Sequence, residues 1–215
     1  VWSGILALAI IMYVLLDGFD LGIGILSKYA KDEKDQARMI NSIAPFWDGN
    51  ETWLILGGGC LLIGFPVAYA IIMQALYLPI IFMLLGLILR GVAFEFIFKS
   101  AGSQRKVWIN FFHYGSLIAS FFQGVILGEF IQGFTIEDKR FVGSSMDWLN
   151  PFCIIVGLAL ISGYTLLGSG WLVMKTTGKI HDWGRKMSTY STFVVLFFML
   201  VVSVYLPFVN AEIFD

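Results

Sequence analysis

The chain has 215 residues, of which 58% are hydrophobic and 13% charged, with a formal net charge of −1 and a mean hydropathy of +0.82. Such a balance lies far from that of soluble domains and offers no basic surplus for nucleic acid. It predicts an all-α integral membrane protein, because a hydrocarbon core of roughly 30 Å needs about 20 apolar residues per helix.

In chain order, six segments meet that requirement: about 3–26, 51–68, 77–98, 109–133, 152–174 and 190–209. The linkers are short and leave no room for a soluble domain of consequence. Lys28, Lys31, Lys34 and Arg38 follow the first span; Lys99, Arg105 and Lys106 follow the third; Lys175, Lys179, Arg185 and Lys186 follow the fifth. The other side holds only Lys139 and Arg140. The excess of positive charge therefore assigns the odd-to-even loops to the cytoplasm and the N-terminus to the outside. Span one is too long and too acidic for a cleaved signal peptide. Because the chain enters a span directly after Val1 and stops soon after another at Asp215, we expect part of a longer protein.

Span one carries DGFDLGIG at 17–24. Asp17 and Asp20 are three apart and share a helical face, and Gly18, Gly22 and Gly24 allow neighbouring helices to come close. A charged side chain at the centre of a span costs about 2.5–3.5 kcal/mol, so each acid needs a partner, a proton or water. A proton path is one reading; a purely structural pairing of one aspartate with Arg90 is the other.

Span two opens on NSIAPFWDGNETW at 41–53. Asp48 and Glu51 have capping-box spacing, Pro45 suits a helix start, and Trp47 and Trp53 suit an interfacial belt. Capping, however, needs only one of the polar groups crowded there. Span three ends in RGVAFEF at 90–96, where Arg90 and Glu95 subtend well over a right angle. They are not natural partners, and each is expected to reach another helix, with snorkelling as the plainer alternative for Arg90. On the assigned orientation Asp17, Asp20, Asp48, Glu51, Arg90 and Glu95 all converge at one depth near the cytoplasmic side.

The two histidines, His113 and His181, form no pair on facing spans, so this chain alone is expected to hold no haem. The eight methionines read as packing. Cys60 and Cys153 lie within apolar spans and read as core residues. No metal-ligand spacing, phosphate-binding glycine loop or nucleophile elbow is present.

DGFDLGIG, MINSIAPFWDGNETWL at 39–54, RGVAFEF and LNPF at 149–152 together resemble subunit II of the cytochrome bd-type quinol oxidases, including the cyanide-insensitive ones. The resemblance runs in order along the whole chain. It implies an antiparallel four-helix bundle over 1–133, an extracytoplasmic loop over 134–150, and the start of a second bundle over 151–215. The implied complex sits in the cytoplasmic (inner) membrane of a bacterium or archaeon. It oxidises quinol and reduces dioxygen to water without pumping protons, with two b haems and one d haem held by subunit I. A structural quinone and a small accessory subunit are left open.

Position by position, the resemblance places Asp48 on a proton route from the cytoplasm, with Trp47 beside it and Trp53 near the mouth of an oxygen channel. Asp20 and Arg90 fall at charged positions that stabilise the haem-bearing interface, and Glu95 stands where aspartate is frequent. Asp17, Asp20, Glu51 and Glu95 join the proton path by proximity. His113 and Glu129 match no family position and are expected to be a satisfied histidine and an outward-side carboxylate. A proton-coupled secondary transporter is the rival function, though no inverted repeat is visible. A subunit whose buried charges serve only for docking is a third reading.

Overall fold

A computed structural model describes residues 1–209. Eight helices account for nearly all of it: α1 (Trp2–Ser27), α2 (Glu33–Asn41), α3 (Trp47–Gly64), α4 (Pro66–Ala75), α5 (Tyr77–Ile97), α6 (Gly102–Gln132), α7 (Pro151–Lys175) and α8 (Lys179–Val209). The only strands among the described residues are β1 (Ile136–Glu137) and β2 (Arg140–Phe141), a hairpin whose turn residues Asp138 and Lys139 both have positive φ. That is the turn conformation that matches the twist of two antiparallel strands.

Five helices, α1, α5, α6, α7 and α8, are long and apolar enough to cross a membrane, and the chain is a multi-pass membrane protein. The sixth expected span, 51–68, differs. Pro66 has no N–H to give and crowds the preceding turn, so α3 stops at Gly64 and the chain breaks at Phe65, where φ is −140° and ψ 60°. Pro66 then opens the short α4, as proline does at a first helical position. At 18 residues, α3 is about 27 Å long. Its first turns carry Asp48, Asn50 and Glu51, and its middle carries three glycines, which keeps it out of the apolar set.

Helix α1 is the centre of the assembly, packing against α3, α6 and α7; α5 packs on α6, α6 on α7, and α7 on α8. The glycines of 17–24 make this possible. A Cβ at Gly22 would collide with the Tyr164 carbonyl and approach the Gly168 backbone to 2.8 Å, while one at Gly24 would collide with Ser116. Backbones in contact without intervening side chains are how helices associate where lipid removes any hydrophobic drive between them. The largest apolar cluster joins Phe19, Ile23, Met39, Phe94, Phe112 and Leu172, drawn from five helices at one end of the bundle.

The three basic loops share that end. Helix α2 is capped by Asp32, which accepts from Asp35 N at 2.8 Å, and its Gln36 donates to the Ser27 carbonyl at the end of α1 at 3.0 Å. Glu33 pairs with Arg105 of α6 at 3.1 Å. A cavity of about 200 Å³ between α2 and α8 is lined by Lys31, Asp35, Lys179 and Lys186 among others.

Candidate functional site

Acidic side chains of α1 meet Glu51 of α3 and Arg90 of α5 inside the bundle. Asp17 and Asp20 are both 0% exposed and Arg90 is 1% exposed. Arg90 Nη2 donates to Asp17 Oδ1 at 2.7 Å and to Glu51 Oε2 at 3.1 Å, bridging α1, α5 and α3 through one guanidinium. Asp20 has no cation in ion-pair contact. Its Oδ2 accepts from Asn50 Nδ2 at 2.8 Å, and the same amide reaches the Leu16 carbonyl at 3.4 Å. Arg90 is therefore paired by neither Asp20 nor Asp48. Asp17 lies within reach of α5, whereas Asp20, nearly a full turn further on, is turned towards Asn50.

Four polar atoms in this cluster are buried without a hydrogen-bond partner: Asp17 Oδ2, Asp20 Oδ1, Arg90 Nε and Arg90 Nη1. Two are acceptors and two are donors, a complement that water molecules satisfy when they occupy a polar interior.

Not every expected residue joins the group. Asp48 is exposed on the first turn of α3 with no ion pair among the described residues, so its neighbour Asn50 is the one that points inward. Glu51, three residues on, keeps 28% of its side chain exposed and stands between Asp48 and Arg90. Glu95 does not reach another helix. It pairs along its own helix with Lys99 at 3.4 Å and is 57% exposed, because the five-residue step from Arg90 carries it round to the outer face. The expected convergence of six charges thus reduces to four. Trp47 is half-buried and packs on Phe94 with ring centroids 4.8 Å apart; Trp53 is half-buried on the same helix.

Three buried side chains missed by the sequence reading extend the polar seam. Tyr13 lies one turn from Asp17 on α1, and its hydroxyl accepts from Gln123 Nε2 of α6 at 2.6 Å. Gln123 Oε1 accepts the hydroxyl of Tyr164 on α7 at 2.7 Å. The signal was present: a lone glutamine in an apolar span needs partners as much as a charge does.

Towards the other end of α6, Glu129 is buried and accepts from Cys153 Sγ and Asn150 Nδ2, each at 3.4 Å. Asn150, from the LNPF stretch, also accepts from Cys153 N at 3.0 Å and so caps α7, with Pro151 at its first position. Cys60 and Cys153 are buried free thiols. His113 Nδ1 lies 2.9 Å from the Ile25 carbonyl and His181 Nδ1 lies 3.0 Å from that of Val173. No group of three or more His, Cys, Asp or Glu among the described residues is arranged to hold a metal ion.

Long apolar helices around a largely buried cluster of ionisable groups define a multi-pass membrane protein that keeps charges at depth. The family profile for cytochrome bd terminal oxidase subunit II matches residues 1–214, and the chain belongs to that family. It is 31% identical to the probable cytochrome oxidase subunit 2 of Haemophilus influenzae over 213 residues, covering 96% of this chain and 56% of that protein. It is 31% identical to the cytochrome bd-I ubiquinol oxidase subunit 2 of Escherichia coli K12 over 206 residues, 91% of this chain and 54% of the relative. The cytochrome bd ubiquinol oxidase subunit 2 of Bacillus subtilis is 33% identical over 190 residues, 87% of this chain and 56% of the relative. The chain thus spans little more than half the length of these relatives.

Proposed function

We propose that this chain belongs to a bd-type oxidase that couples oxidation of a membrane quinol to reduction of dioxygen to water without pumping protons. In this reading it contributes a proton route from the cytoplasm, through the face where its basic loops lie, in a bacterial or archaeal inner membrane. The observation that carries the proposal is the buried group of Asp17, Asp20, Glu51 and Arg90 with polar atoms left unpartnered inside apolar helices. Family membership favours the oxidase over the transporter.

The haems of such a complex supply the electron transfer and oxygen chemistry, and they belong in this proposal to the partner subunit I. Asp48 is the mouth of the route, since it is exposed and takes protons from water. Glu51 is one turn deeper on the same helix and keeps 28% of its side chain exposed, which suits it to hand protons inward. Arg90 holds Glu51 and Asp17 against one guanidinium and keeps the negative charge of the seam from accumulating. Asp20 is restrained by a neutral amide alone and is the acid free to exchange. Glu95 sits on the exposed face and is a peripheral charge on the same side. Trp47 and Trp53 are assigned to an oxygen passage or quinone contact along α3. The division at 134–150 into a complete bundle and the start of a second belongs to the same proposal. So do any small accessory subunit and any structural quinone.

The test is oxygen consumption by the complex purified with the full-length chain. Asp48→Asn and Asp20→Asn should each slow turnover several-fold with haem content per complex unchanged. Full turnover in both variants, with the complex intact, would remove the proton route from this subunit.

A further inference from the structure

The Tyr13, Gln123 and Tyr164 layer has no part in the route above, yet three helices, α1, α6 and α7, keep it. All three side chains are buried. A phenylalanine would fill either tyrosine site without the cost of a buried hydroxyl, so the hydroxyls are there to be bonded. Gly18 of the DGFD motif belongs to the same arrangement, because a Cβ there would come within 2.8 Å of the Tyr164 ring.

The direction of the chain follows from the orientation of the Gln123 amide. Tyr164 gives its one proton to the Gln123 carbonyl, and the Gln123 amide gives an N–H to the Tyr13 oxygen. Tyr13 therefore still holds a proton to donate. Asp17 is the acid one turn further along the same helix. Asp17 Oδ2 is buried without a partner, while Arg90 occupies Oδ1. One unspent donor and one unspent acceptor thus share a face of α1, one turn apart.

We propose that Tyr164, Gln123 and Tyr13 are positioning residues for Asp17. They form a one-way hydrogen-bond chain, closed by Tyr13 donating to Asp17 Oδ2, that holds Asp17 as the fixed partner of Arg90 and leaves proton exchange to Asp20 and Glu51. The proposal rests on the proton route described above and assigns its members different tasks. The chain orients and does not conduct: an amide that passed on its N–H proton and took another at oxygen would be left as an imidic acid. Gln123 thus ends proton movement in the direction of α7.

The test uses the complex purified with the full-length chain, carrying Tyr13→Phe, Gln123→Leu, Gln123→Glu and Asp17→Asn, alone and in pairs. Oxygen consumption is measured beside infrared spectra with isotopically labelled tyrosine, which report how a phenol is hydrogen-bonded. Tyr13→Phe and Gln123→Leu should each slow turnover by about tenfold or more, the effect of one buried hydrogen bond to a charged group. Combined, they should be no slower than Tyr13→Phe alone, since both act through one hydroxyl. Gln123→Glu should recover most of the loss of Gln123→Leu, because a protonated carboxyl offers the same acceptor and donor. Asp17→Asn should shift the Tyr13 phenol band. Additive losses in the pair, or a tyrosine spectrum indifferent to Asp17→Asn, would overturn the chain. If Asp48→Asn and Asp20→Asn leave turnover untouched while Asp17→Asn shifts the band, the proton route fails and the positioning contact stands. The infrared arm needs no change at Tyr13, so poor assembly of Tyr13→Phe leaves the question answerable.

Discussion

Replacing Arg90 with methionine keeps an unbranched side chain of similar reach and removes the cation that joins α1, α3 and α5. Asp17 would then be fully buried with no counter-charge, since Arg90 at 2.7 Å is its ion-pair partner. Removing one member of a buried pair costs about 3–5 kcal/mol. Two features place the outcome near the lower end, at about 3 kcal/mol. Arg90 Nε and Nη1 are unpartnered in the native protein, so their desolvation is relieved, and Glu51 keeps 28% of its side chain in reach of water once released. Arg90→Met combined with Asp17→Asn removes both buried charges and should lie within about 1 kcal/mol of the native protein. Unfolding in mixed micelles, titrated with denaturing detergent and followed by circular dichroism, measures all three variants. A loss below about 1 kcal/mol for Arg90→Met, or a double variant no more stable than the single one, would refute the account of Arg90 as the neutralising partner of Asp17.

Gly22→Ala should cost about 2–3 kcal/mol, because its Cβ meets the backbone of α7, which cannot yield as a side chain end can. Gly49→Ala on α3 is the matched control: nothing lies within 4 Å of its Cβ, and the change should be neutral or stabilising in the same unfolding assay. Asn150→Ala should cost about 1–2 kcal/mol through loss of the α7 cap, visible as faster hydrogen exchange in the first turn of that helix. Glu95→Gln should change stability by less than about 0.5 kcal/mol, since its pair with Lys99 is exposed on both sides.

The helical plan was legible because a run of twenty apolar residues has few other uses, and the shared end of the basic loops followed from the same reading. The end of the second expected span was not, since Pro66 breaks the helix at Phe65 despite the apolar residues on either side. Within the site, residue type was a better guide than partner. Asp17, Asp20 and Arg90 are conspicuous in any apolar run, but which carboxylate meets the guanidinium depends on the rotation of α1 about its axis. A helix that is apolar nearly all round carries almost no periodicity from which to read that rotation. Asp48 drew attention by its charge, whereas Asn50, two residues on, occupies the inward position. Tyr13, Gln123 and Tyr164 escaped because each is a single polar group on a different helix, joined only when the helices cross.

Helix α1 is clamped on two sides, against the backbone of α7 at Gly22 and against Ser116 of α6 at Gly24. A rod gripped that closely cannot slide or roll to follow a charge that moves beside it. Any proton arriving in the seam must therefore be accommodated by the arms of Arg90 and Glu51, swinging within a frame that stays still.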